Sequence, residues 1–148
     1  MTLMSRPPRI LSSTGLYHVI FRGIKRLNIF EEKEDYKKML EIFAKLKEKE
    51  IGDIKKVMHK LLTTYVVWFN RKYQRSGSLI GNRHKSEPIE DEKYYFSLIR
   101  YIHQNPVRAR ICQTPGEYEW SSYNDYTTES KHFERATGIT RGIITKAK

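Results

Sequence analysis

Ile54, Val57, Met58, Leu61, Leu62, Tyr65 and Phe69 follow one another at intervals of three, one, three, one, three and four residues. That is the rhythm of an apolar stripe on an α-helix, and such a stripe has to be buried against other apolar surface. Asp53 stands where the N-cap of this helix would be. A second helix is predicted upstream over Glu31 to Lys49, where Tyr36, Met39, Leu40, Phe43 and Leu46 recur at helical spacing. Between the two, Lys47-Glu48-Lys49-Glu50 runs straight into Ile51-Gly52-Asp53, which leaves room for a turn.

Leu16 to Arg22 is rich in β-branched and aromatic residues and lies between Gly15 and Gly23, so it reads as a strand. Leu79 to Ser86 reads as a short strand or a basic loop. Glu90-Asp91-Glu92 suits a helix N-terminus and opens a third helix to about Asn105, which Pro106 is expected to stop or kink. A short aromatic segment, Tyr118 to Tyr126, precedes a polar tail over residues 127 to 148. No repeat or linker divides the chain, and residues 1 to 148 read as one α+β domain.

The 28 Lys and Arg outnumber the 17 Asp and Glu, for a net charge of +11. Three acid-free blocks carry the excess. Residues 1 to 30 hold Arg6, Arg9, Arg22, Lys25 and Arg26, and residues 61 to 86 hold Arg71, Lys72, Arg75, Arg83 and Lys85. Residues 97 to 113 hold Arg100, Arg108 and Arg110. Residues 31 to 60 nearly balance, as a solvated helix face does. Acid-free basic blocks are what a phosphate backbone recognises, so nucleic acid is the leading partner class. No apolar run approaches the roughly 20 residues of a membrane-spanning helix, and no secretory pattern opens the chain. The single Cys112 excludes an intramolecular disulfide, and a cytoplasmic setting is expected.

On the third helix Ser97, Tyr101 and Asn105 fall at i, i+4 and i+8 and share a face, with Tyr95, Leu98, Ile99 and Ile102 on the other. A phenol whose pKa is near 10 is a weak nucleophile without a base or a metal. With ten tyrosines in the chain, packing or capping is the ordinary role for any one of them. Tyr65, Trp68 and Tyr73 lie near basic residues and could stack on bases, but Tyr65 continues the apolar stripe, and core packing is the better reading.

Four blocks carry a resemblance to a family. They are Gly15-Leu16-Tyr17-His18-Val19 with Arg22-Gly23, Ile29-Phe30 and Asp35-Tyr36; Tyr65 to Asn70 with Gly77, Leu79, Arg83, Lys85 and Ser86; Tyr101-Ile102-His103-Gln104-Asn105-Pro106-Val107-Arg108-Ala109; and Trp120-Ser121-Ser122-Tyr123. Over about residues 15 to 126 the chain resembles the REP-associated tyrosine transposases of the single-tyrosine HUH superfamily. That resemblance implies a ferredoxin-like antiparallel sheet with helices on one face. It also implies a homodimer that binds single-stranded or hairpin DNA and cleaves and rejoins strands. Tyr101 would form a 5′-phosphotyrosine link, Asn105 would help hold a divalent Mg or Mn ion, and the basic blocks would contact phosphates.

The chain departs from the family where that metal would sit. Its five histidines, His18, His59, His84, His103 and His132, are isolated, and no His-hydrophobic-His pair is present. The hairpin that carries the pair would lie between the first two helices, where residues 47 to 53 leave no space for it. His84 and Ile80 stand where the family has aromatics, and Arg110 where it favours Gly. The resulting expectation is a DNA-binding transposase relative impaired in catalysis, with an incomplete metal site, a shortened sheet and compensating dimerisation. The alternative is a non-catalytic basic DNA- or RNA-binding module.

Overall fold

The computed structural model of the chain describes residues 10–49, 53–81 and 84–127. Helices α1 (Lys33–Lys49) and α2 (Ile54–Lys72) pack together along the apolar stripe. Met39 and Ile42 of α1 meet Met58, Leu61, Tyr65 and Phe69 of α2, and Ile29, Phe30, Leu79 and Ile80 from adjoining loops close the core. Tyr65 is completely buried, and its hydroxyl donates to the Ile29 carbonyl at 2.5 Å, so its polar end is paired. Asp53 caps α2 by accepting from the N–H groups of Lys55 (3.0 Å) and Lys56 (3.2 Å). Of residues 47 to 53, 50–52 lie outside the described residues, as does the tail from 128 onward.

Strands β1 (Tyr17–Ile20) and β2 (Lys85–Pro88) pair antiparallel, with Tyr17 opposite Pro88 and Ile20 opposite Lys85. A two-stranded ribbon is marginal by itself. Here Val19 and Phe21 rest against the helical core. The first strand is shorter than Leu16 to Arg22, and the second begins only at Lys85, after a single bridge from Ile80 to Gly23. Among the described residues the architecture is therefore mixed α and β, with four helices and one two-stranded antiparallel sheet.

Helix α3 (Glu92–Arg108) starts at the N-cap Asp91, whose carboxylate accepts from Lys93 and Tyr94 N–H at 2.8 and 3.2 Å. It continues through Pro106 to Arg108, contrary to the expected stop near Asn105. The proline lies in the last turn, where its missing N–H removes one bond to Ile102, and its ring is fully buried. Of the expected core face, Leu98 is buried while Tyr95, Ile99 and Ile102 are half-buried; His103 and Pro106 take the other buried places. A 3-10 turn (Pro115–Glu117) and the short helix α4 (Tyr123–Thr127) complete the described chain, and α3 packs on that turn.

Both long C-terminal helix ends close with the same hydrogen-bonded cap. After α2, Arg75 N–H donates to Asn70 O and Gln74 N–H to Arg71 O; after α3, Ile111 N–H donates to Pro106 O and Arg110 N–H to Val107 O. The pattern requires a left-handed residue, ordinarily glycine, and here Gln74 (φ 50°) and Arg110 (φ 57°) fill it. Each non-glycine there costs about 1 kcal/mol. Arg110→Gly is expected to raise stability by about 1 kcal/mol, read from the denaturant midpoint, and an unchanged or lower midpoint contradicts the strain.

One polar group ties the two core helices together. Asp35, with no exposed surface, accepts at Oδ2 from the N–H groups of Glu31 (2.7 Å) and Glu32 (2.9 Å) and from the Tyr73 hydroxyl (2.8 Å). Its Oδ1 accepts from Lys72 Nζ at 2.8 Å. Burial pushes the carboxyl up, but the Lys72 ammonium and the other three donors outweigh it and hold the group below the ordinary 3.8. The stability this supplies is therefore complete above 3.8 and is lost as pH falls through the lower folded value. Asp35→Asn is expected to cost about 3 kcal/mol and to flatten the acid limb of a thermal-stability profile below pH 4. An unaltered acid limb would contradict the assignment.

Candidate nucleic-acid interface

The exposed side of α3 gathers the residues singled out from the sequence. Tyr101 is 48% exposed, the Arg108 guanidinium lies 5.6 Å from its ring centre, and Asn105 follows one turn later, half-buried. Arg108 also donates to Gln104 Oε1 at 3.3 Å, and Arg100 and Ser97 are exposed one turn earlier. Arg100, Gln104 and Arg108 thus form a ridge beside Ser97, Tyr101 and Asn105. No carboxylate lies within residues 97 to 113, so this stretch of the helix contributes only positive side-chain charge around Tyr101.

Two other basic groups meet elsewhere. Gly81 N–H donates to Arg22 O and Ile24 N–H to Leu79 O, which brings the turn bearing Arg22, Lys25 and Arg26 beside the segment that follows α2. Those three side chains are exposed, and Lys25 (φ 49°) and Arg26 (φ 64°) are held in left-handed conformations. Gly23 is obligatory for this turn, because a Cβ there would lie 1.9 Å from the Leu27 carbonyl oxygen. On the α2 side, Arg71 is exposed and Arg75 lies over the Phe69 ring at 5.8 Å.

Lys72 is placed differently. Its ammonium meets Asp35 (2.8 Å), Glu34 (2.8 Å) and Glu32 (3.2 Å) and lies over the rings of Trp68 and Tyr73; desolvation pushes its pKa down, and the three carboxylates with the Tyr73 hydroxyl outweigh that and raise it. It is therefore occupied within the fold. Lys85 is exposed and bonded to Glu87 at 2.6 Å, and Arg83 lies outside the described residues.

The described histidines are scattered. His103 is buried, with Nε2 3.0 Å from Ser122 Oγ and its ring edge-on to Tyr123 and Tyr126. His18 Nδ1 lies 3.6 Å from Glu87, opposite it in the ladder, and His59 is exposed. Among the described residues no three His, Cys, Asp or Glu side chains form a metal-binding group. A Mg²⁺ ion is ordinarily held by one or two carboxylates besides water and phosphate, and the α3 residues that share Tyr101's face, Ser97 and Asn105, include none. The described residues do not fit the implied ion.

Charge counting missed part of the basic surface. The five Lys and Arg of α2 include Lys55, Lys56 and Lys60, and the helix has no acidic residue, because the acids of residues 31 to 60 all precede it. It also passed over Phe96, a 57% exposed aromatic on α3 whose exposure breaks the apolar rhythm. Comparison with protein-family models, curated proteins and solved structures returns no match to the chain.

Burial lowers the pKa of His103, so folding favours its neutral ring. Stability from this site is complete above the unfolded value of 6.5 and falls as pH drops toward the folded value. Between pH 8 and 5 the thermal midpoint is expected to fall in the native chain and to fall less in His103→Gln. Equal slopes would contradict the buried, neutral assignment.

Proposed function

We propose that the chain is a DNA-binding protein of the tyrosine-transposase type, built on a shortened ferredoxin-like domain, that holds single-stranded or hairpin DNA and is impaired in strand cleavage. The observation that carries this reading is the acid-free face of α3, where Tyr101 stands exposed under Arg108 and beside Arg100 and Asn105. Of the sequence blocks that resemble the family, Tyr101 to Ala109 lies at the end of this helix, and Ser122 and Tyr123 of the last block meet its His103. Arg22, Lys25, Arg26, Arg71 and Arg75 form a separate basic group, and in this reading each adds a salt-sensitive phosphate contact.

In this reading the phenol of Tyr101 lies where a phosphodiester would pass, and Arg100 and Arg108 neutralise that phosphate. Cleavage would require Tyr101 Oη to bond to phosphorus as the strand's 3′ oxygen departs and takes a proton. Ser97 and Asn105, the other polar residues on that face of α3, are not bases that would draw off the phenolic proton, which supports a strand that is held with weak chemistry. The two-stranded sheet and the 60% exposed Val67 of α2 favour a homodimer through the β1 edge or α2, the family's usual state.

Titration of hairpin DNA, duplex DNA and structured RNA at fixed salt, with light scattering on the same samples, tests the reading. Hairpin DNA is expected to bind most tightly, to a dimer. A steep loss of affinity between 50 and 200 mM salt is also expected. With Mg²⁺ or Mn²⁺ added, little covalent adduct should form, and Tyr101→Phe should bind like the native chain. An RNA preference overturns the DNA reading, and a robust adduct that vanishes in Tyr101→Phe overturns the impairment.

A further inference from the structure

Beside the tyrosine ridge, α3 borders an open cleft of about 440 Å³. Phe96, Arg100, His103 and Gln104 form its α3 side, and Pro115 and Tyr123 form the other. Its far wall is fixed, because the Tyr123 ring meets His103 edge-on at 90° and 5.5 Å while His103 is held by Ser122. Its near wall is not covered, since Phe96 is 57% exposed. No carboxylate lines the cleft, and Arg100 gives it a positive charge.

Aromatic walls, one amide and one cation are the groups that receive a nucleobase: a ring stacks on the base, Gln104 can donate to or accept from its edge, and arginine takes the adjoining phosphate. The cleft is continuous with the tyrosine ridge, because Gln104 accepts from Arg108, which covers Tyr101. We propose that this cleft is a nucleobase subsite, taking one unpaired base of a strand whose backbone runs along Arg100 and Arg108 past Tyr101. The inference rests on the DNA-binding reading and adds to it: the preference for unpaired strands comes from Phe96, where duplex binding needs only the cations.

The test uses the full chain and a single-stranded oligothymidylate carrying one 2-aminopurine, beside a duplex of equal length and free deoxyadenosine monophosphate. The native chain is expected to quench the 2-aminopurine on binding. Phe96→Ala should weaken the single-strand complex about tenfold and abolish the quenching, with duplex affinity unchanged. Phe96→Tyr should restore both, and Arg100→Gln should weaken both single-strand and duplex binding. Both positions are exposed, so thermal midpoints should stay at the native value. If Phe96→Ala binds and quenches like the native chain, the subsite is wrong while the DNA reading stands. If the native chain binds neither oligonucleotide, that reading fails and takes the subsite with it. Saturable binding of the free nucleotide that depends on Phe96, without an effect on the oligonucleotide, overturns the strand-bound subsite.

Discussion

A buried carboxylate with four donors holds this molecule in register. Asp35 lies near the start of α1 and fastens the loop before it, through Glu31 and Glu32, to the far end of α2, through Lys72 and Tyr73. An apolar stripe can slide by a turn at modest cost; a desolvated charge with fixed partners cannot. The aromatic core inherits that alignment, because Phe69 and Tyr65 lie one and two turns back along α2 from the Tyr73 that Asp35 binds. Lys72 is consumed in the same contact, which separates it from the cations left facing outward.

The second layer of organisation is aromatic. Phe30 stacks on Tyr36 (4.2 Å), Tyr36 stacks on Trp120 (4.8 Å), and Tyr36 shares a hydrogen bond with Tyr118. This column is how the segment beneath α3 is attached to the helical core. At the other end of α3, Glu90 accepts from Ser13 and the Ile89 carbonyl from Thr14, beside the β ladder. The segments that lead into and out of the helix displaying Tyr101 are thus both tied down, while Tyr101 itself stays exposed.

Short-range chemistry was the part readable from the sequence. The α2 stripe and the Asp53 cap involve residues within a few positions of one another, and both stand as read. What escaped depends on distant partners. Lys72 counts as free charge until Asp35, 37 residues away, is brought to it. His103 looks like a bystander until Ser122 meets it from 19 residues on. Lys-Ser-Glu-Pro has little strand propensity, and β2 exists because β1 offers it a ladder. Pro106 was overread, since a rule about helix interiors was applied to a last turn. At the interface, Tyr101, Arg100 and Arg108 share one helix and were legible together, whereas the cleft is closed by residues from a separate turn.

The Tyr36 to Trp120 stack also has a meaning in time. The α1 and α2 pair is nearly contiguous in sequence and can form from local encounters, but this stack closes a loop of more than 80 residues, whose entropy has to be overcome before the contact returns anything. Local encounters thus favour the helical pair over the long-range stack. During synthesis α3 leaves the ribosome ahead of Trp120, so the contact that joins the following segment to the core can form only once the last aromatic block has emerged and met Tyr36.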